Sequence, residues 1–219
     1  EITILMVIYD ETDEIILKSL EKIKNFKIII IDNKGDKKLK DKITQKFKIS
    51  TYYLSNKNLG FSNGFNKALN FCKTKYAFIK NADCYIDEDN IIKLYDYIKN
   101  NQDCGIVSPT SYDENGSLSY NSGKLPENES SNDILKVEGD VCVEKVLGSS
   151  MFVKVEDLQK VGMFNKNLFI FFSDDELCKK IGSINKHVVQ IYNSKCIHVH
   201  GISKVKNKFY KIYLRELYF

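Results

Sequence analysis

The sequence predicts an α/β fold in which one mostly parallel, twisted sheet carries helices on both faces. Three observations predict it. Short continuous apolar runs, ITILMVI over Ile2–Ile8 and KIIII over 27–31 the clearest, read as strands buried on both faces. Between them lie segments with apolar residues at helical spacing, beginning with Ile15, Ile16, Leu20 and Ile23. Strand and helix then alternate up to Ile79, the pattern of right-handed β-α-β units.

Taken in order, residues 2–8 are the first strand and 12–26 its helix. Residues 27–31 form a second strand that stops at Asp32-Asn33. Ile43 and Phe47 mark a second helix, 49–54 a third strand, and 62–72, with Phe65, Ala68, Leu69 and Phe71, a third helix. The apolar run 76–79 is a fourth strand, stopping in Lys80-Asn81-Ala82-Asp83. An amphipathic helix over 87–100 and a strand over 105–108 follow. Asp113-Glu114-Asn115-Gly116 is a turn signal, and 118–139 is polar and aperiodic, the character of a long surface loop or lid. A strand over 141–155 interrupted at Gly148-Ser149-Ser150, a short helix over 177–181 and closing strands over 187–192 and 196–200 complete a single domain, 1–203.

Composition excludes several classes of function. The 219 residues carry a formal charge of +4, almost all of it from lysines dispersed among acids, with Arg215 the sole arginine. A nucleic-acid footprint needs a clustered basic face, so no nucleic-acid partner is expected. Six cysteines without a C-x-x-C pair read as reduced packing residues of a cytoplasmic protein. No apolar run is long enough to cross a bilayer. Residues 204–219 (KVKNKFYKIYLRELYF) interleave basic and aromatic side chains, as in a packing helix, a cut-short element or a segment on an anionic membrane surface. The expected location is cytoplasmic, with a peripheral site at the inner face of the cell membrane.

Three apolar segments end in acids or amides: Asp32-Asn33, Asn81-Ala82-Asp83 and Asp174-Asp175-Glu176. Ligands of open α/β sheets bind outside the carboxyl ends of the strands, and a buried carboxylate needs a hydrogen bond, a metal or a proton. The repetition favours one shared site over three separate helix caps. For Asp83 the alternative is the N-cap of the helix beginning near Asp87. His198 closes a strand, and imidazole with carboxylate is a mixed shell suited to a divalent cation; the alternative is a structural histidine. Residues 56–66 (NKNLGFSNGFN) bring two glycines and four amides to a helix N-terminus, where backbone N–H groups can approach a phosphate or ribose.

The ordered set IIIIDN (28–33), Asn58-Leu59-Gly60-Phe61 with Asn66, Asn81-Ala82-Asp83, VLGSSMF (146–152), VGMFN (161–165), FFSDDELC (171–178) and HVHGIS (198–203) resembles family 2 glycosyltransferases, nearest to bacterial rhamnosyltransferase-type enzymes. The resemblance covers nearly the whole chain. It implies a GT-A fold, a UDP- or dTDP-sugar donor, and inverting transfer to a glycan or lipid-linked acceptor in surface polysaccharide assembly. It further implies that Asp32 bonds the donor base, that Asn58, Gly60, Asn66 and Asn81 line the donor pocket, and that Asp83 and His198 hold Mn²⁺ or Mg²⁺. Asp174 falls on the family's general base, with Asp175 a competing assignment. Two departures stand out: Asn81 occupies the first acidic position of a D-x-D motif, and Ser173 stands where a glutamate is usual. Two alternative readings are a sugar-1-phosphate nucleotidyltransferase and a non-catalytic nucleotide- or glycan-binding module. The first expects a glycine- and arginine-rich loop where this chain has Tyr9-Asp10-Glu11-Thr12.

Overall fold

A computed structural model describes residues 1–128, 134, 136 and 138–199. The expectations for residues 204–219 and for part of the 118–139 loop lie outside the described residues. Strands β1 (Ile2–Ile8), β2 (Lys27–Asp32), β3 (Thr51–Leu54) and β4 (Tyr76–Lys80) alternate with helices α1 (Asp13–Glu21), α2 (Lys37–Lys46) and α3 (Gly60–Phe71). Then come β5 (Cys84–Tyr85), α4 (Glu88–Asn100), β6 (Cys104–Tyr112), β7 (Ser122–Gly123), β8 (Val141–Val143), β9 (Lys145–Val146), β10 (Ser150–Lys154), α5 (Val155–Lys160), α6 (Ser173–Ser183) and β11 (His187–His198).

The main sheet runs β3-β2-β1-β4-β10-β6-β11-β5, with β8 also on β11. Its first four strands are parallel, as the apolar runs require. Beyond β4 it is mixed: β10 is antiparallel to β4 and β6, β11 is parallel to β6, and β5 and β8 are antiparallel to β11. β7 and β9 form a separate two-stranded ribbon.

Side-chain alternation along β1 explains the two-faced core. Ile4 and Met6 face α1, α2 and α4 with Ile16, Leu20, Ile30, Phe78, Leu94 and Phe152. Leu5 faces the other side, with Ile29, Phe65, Leu69, Met151, Leu177 and Ile181. Each of these apolar side chains stabilises the fold by about 1.5–3 kcal/mol on burial. Helix starts are set locally: Thr12 Oγ1 accepts from Ile15 N, and Asp36 Oδ1 accepts from Lys38 N and Leu39 N.

Three expectations change. The single interrupted strand over 141–155 is β8, β9 and β10, with a turn at Leu147-Gly148-Ser149. The two closing strands are one strand, β11, whose register with β6 shifts between Ile191 and Lys195. Lys80, taken as the first polar residue beyond its strand, is the last residue of β4 and is fully buried. All six cysteines are free thiols and only Cys142 is exposed, in keeping with packing residues. Among the described residues no helix is long and apolar enough to cross a membrane.

Candidate active site

Asp83 follows β4 and leads into β5, which pairs with the end of β11 so that Cys84 lies opposite His198. The backbone closes the pair, with Val199 N donating to Asp83 O at 3.0 Å. His198 Nε2 thereby stands 3.5 Å from Asp83 Oδ1, both side chains about nine-tenths buried. Asp83 does not cap α4, because that helix begins at Glu88 with Asp87 as its N-cap. Glu11 is drawn into the same region: burial and the charge of Asp83 push its carboxyl above the usual range. One carboxylate and one imidazole nitrogen at 3.5 Å fit a divalent cation that takes its remaining ligands from a diphosphate and water. Among the described residues no group of three or more His, Cys, Asp and Glu side chains is placed to hold a metal, so this is a two-residue set.

Beneath Asn81-Ala82-Asp83 lies Lys80, which sequence reasoning missed because a lysine reads as the end of a buried strand. Its Nζ donates to Asn81 O at 2.9 Å and to Ser19 Oγ. Burial pushes the ammonium down to about 8. A lysine with a lowered folded-state pKa costs stability below about pH 8 and is relieved as pH rises toward its unfolded value. Lys80→Met is therefore expected to raise stability at pH 7, by on the order of 2 kcal/mol or a few degrees in Tm. Thermal unfolding measures it; a Tm lowered by several degrees would show that the bonds to Ser19 and Asn81 outweigh the burial cost.

At the second pole, Asp174 sits in the first turn of α6, after Phe172 in the left-handed conformation (φ 60°). Its Oδ2 accepts from Gly148 N at 2.8 Å. Burial first, then the neighbouring Asp175 charge, push the carboxyl up to about 7, against the pull of the Gly148 amide and of Lys145. Asp175 is committed elsewhere, in an ion pair with Lys145 at 2.8 Å.

The two poles are joined by one short stretch of backbone. Gly148 N holds Asp174, and the next residue's carbonyl, Ser149 O, accepts from Asn81 N at 3.0 Å. Ser150 then pairs with Lys80 in the β10–β4 ladder. A Cβ on Gly148 would lie 2.4 Å from the Phe61 ring, so only glycine lets this turn lie so close to α3.

The remaining residues frame the edge. Asp32 is buried, and its carboxylate accepts from Lys34 N, Gly35 N, Asp36 N and Tyr52 Oη at 2.8–3.1 Å. It thus shapes the β2–α2 turn with four hydrogen bonds of its own, and burial together with Asp32 pushes the Tyr52 phenol up. Tyr9, half exposed at the end of β1, stands on the same edge. Asn58 Oδ1 accepts from Gly60 N at 2.9 Å. Gly60 (φ +73°) is where a Cβ would meet Phe169 O at 2.4 Å, so the β3–α3 turn packs directly on the loop leading to Asp174. Asn33 Nδ2 donates to Gly60 O at 3.1 Å. Asn66 departs from the donor-pocket expectation: its amide donates to Phe164 O (2.9 Å) and accepts from Phe164 N (3.0 Å), clamping that loop. Its side chain is spent on the scaffold.

The chain belongs to glycosyl transferase family 2, whose family model matches residues 3–150. Its sheet and flanking helices are those of a GT-A fold. It is 30% identical over 128 residues to an uncharacterized glycosyltransferase of Methanocaldococcus jannaschii, covering 53% of this chain and 44% of the relative. To dTDP-rhamnosyl transferase RfbF of Shigella flexneri it is 27% identical over 191 residues, 83% of this chain and 62% of the relative. The chain thus spans about half the length of the curated relatives it matches. A crystal structure of GalNAc-T7 with UDP, GalNAc and Mn²⁺ has a similar fold, with a TM-score of 0.73 at 12% identity over 91% of this chain and 44% of that one.

Proposed function

We propose that this chain is the catalytic domain of an inverting, metal-dependent glycosyltransferase that moves a sugar from a UDP- or dTDP-sugar to a glycan or lipid-linked acceptor in surface polysaccharide assembly. The observation that carries the reading is the Gly148-Ser149 bridge, which ties Asp174 to the Asn81–Asp83 turn through successive backbone groups. A leaving-group pole and a base pole are what displacement at an anomeric carbon requires.

Asp83 and His198 would hold Mn²⁺ or Mg²⁺, and a cation there neutralises the charge developing on the departing diphosphate. Asp174, as carboxylate, takes the proton of the acceptor hydroxyl. That oxygen forms a bond to the anomeric carbon while the bond to the diphosphate oxygen breaks on the opposite face, and the configuration inverts. Asp174 is favoured over Asp175 because its carboxyl titrates near neutrality, where a base exchanges protons most effectively, whereas Asp175 is bound to Lys145. Asp32 and Tyr9, at the ends of β2 and β1, would frame the nucleoside. The likeness to a dTDP-rhamnosyl transferase favours dTDP-rhamnose first among donors. The site of action is the cytoplasmic face of the membrane, where a lipid-linked acceptor would be presented.

Calorimetry and thermal shift with UDP- and dTDP-sugars test this. One sugar nucleotide with Mn²⁺ is expected to stabilise the chain, by about 2.7 kcal/mol at a hundredfold excess over Kd, and chelator is expected to abolish the effect. A folded chain that responds to no sugar nucleotide would instead identify a binding module without transferase activity.

A further inference from the structure

The Lys145–Asp175 ion pair is unused by the mechanism above, yet it lies beside the base. Both side chains are nine-tenths buried. A buried pair is seldom a net source of stability, since apolar residues of the same volume do as well or better. Its placement is more informative. Lys145 belongs to β9, and three residues on the same stretch supplies the Gly148 amide that Asp174 accepts. Its ammonium also lies 5.7 Å from the centre of the Tyr120 ring and is bonded to the Tyr120 hydroxyl. Tyr120 is fixed by its neighbour Asn121, whose Nδ2 donates to Ser108 Oγ and Pro109 O at 2.7 Å and whose carbonyl accepts from Leu147 N at 2.8 Å. The β7–β9 ribbon therefore delivers both the counter-charge and the hydrogen bond that reach Asp174.

We propose that Lys145 and Asp175 are positioning residues for the base, an opposed pair of charges held by Tyr120 that sets the charge state and the aim of Asp174. The inference rests on reading Asp174 as the base. The groups facing Asp174 are few. Asp175 disfavours its ionisation and Lys145 favours it. Cys178, one turn along α6, is kept protonated by burial and by both aspartates. Glu176 is engaged by Lys180 at 3.2 Å, and Lys179 by Glu127 at 3.1 Å. The two members of the pair thus act on Asp174 in opposite senses, which a purely structural ion pair would not reproduce on removal.

The test is the titration of Asp174 in Lys145→Met, Asp175→Asn and the double variant. It is read by ¹³C NMR of labelled aspartate, assigned through the signal lost in Asp174→Asn, and by the pH profile of kcat/KM. Lys145→Met leaves Asp175 as an unopposed neighbouring charge and is expected to move the midpoint up by about one unit. Asp175→Asn is expected to move it down by a similar amount, and the double variant to return near the starting value. At pH 7, Lys145→Met should then lose about fivefold in kcat with donor KM unchanged, and recover near pH 8.5. Midpoints that move in the same direction, or not at all, would overturn the inference. Should Lys145→Met not fold, Asp175→Asn decides alone, a downward shift supporting the inference and any other result overturning it. The NMR titration needs no turnover. Opposite shifts without any sugar transfer would uphold the pair and remove the base, whereas transfer with shifts in one direction would do the reverse.

Discussion

Asp174→Asn is expected to lower sugar transfer by about a thousandfold or more while leaving donor affinity within a fewfold of the starting value. The amide keeps the size of the carboxyl and its acceptor oxygen toward Gly148 N, and loses only the capacity to take a proton. The same substitution is expected to make the protein more stable at and above pH 7. Asp174 holds its proton more tightly in the folded chain than in the unfolded one, because burial and Asp175 raise its carboxyl to about 7. Between about pH 4 and pH 7 the folded state therefore carries the extra proton, and stability falls as pH rises through that window. Asn has no such proton to lose. The gain at pH 8 should be on the order of 2 kcal/mol, discounted because Asp174 keeps a solvent-accessible edge. Steady-state kinetics and thermal unfolding on one preparation measure both effects. An inactive variant that is also less stable and binds no donor would make Asp174 a structural residue.

Asp83→Ala carries the second large effect. Asp83 sets a carboxylate against His198 Nε2, and its backbone carbonyl, which the substitution keeps, is what accepts from Val199 N. The β5–β11 pairing should thus survive while the cation loses its anionic ligand. Mn²⁺-dependent donor affinity is expected to fall by about a hundredfold or more, to the level of the unaltered chain in chelator. Loss of the Asp83 charge also relieves Glu11, whose carboxyl is raised partly by that charge. Calorimetric titration of the donor with Mn²⁺ and with chelator decides. Unaltered Mn²⁺ dependence in Asp83→Ala would move the metal away from this pair.

Much of this architecture was legible in the residues, and the physical reasons for what was not are specific. Parallel strands buried on both faces read as unbroken Ile and Leu runs, so β1, β2 and β4 and the helices between them were plain. The β7–β9 ribbon was invisible because two-residue strands have no period to detect. α5 (VEDLQK) is too short to show helical spacing, having only Val155 and Leu158 as apolar residues, and its first residue reads as the end of the preceding strand. For the proposed site, carboxylates at the ends of apolar segments single out Asp83 and Asp174. Their partners were a matter of register: His198 reaches Asp83 only because β11 is one bulged strand paired to β5. Residues that act from inside the fold gave no signal. Lys80 resembled a strand terminator, Lys145 one of many dispersed lysines, and Tyr52 an ordinary strand tyrosine. Asn66 resembled a pocket amide because its role, bonding both backbone groups of Phe164 98 positions away, is fixed by tertiary structure alone.

The central claim is that a metal-assisted leaving-group pole at Asp83 and His198 and a base at Asp174 serve one transfer. It is tested most directly by the release of nucleoside diphosphate from the donor that calorimetry selects, followed with acceptor and Mn²⁺ in the unaltered chain, Asp174→Asn and Asp83→Ala. The account predicts release in the unaltered chain alone, abolished by chelator. Donor binding should persist in Asp174→Asn and lose its Mn²⁺ dependence in Asp83→Ala. Equal release from all three chains, indifferent to chelator, would contradict it.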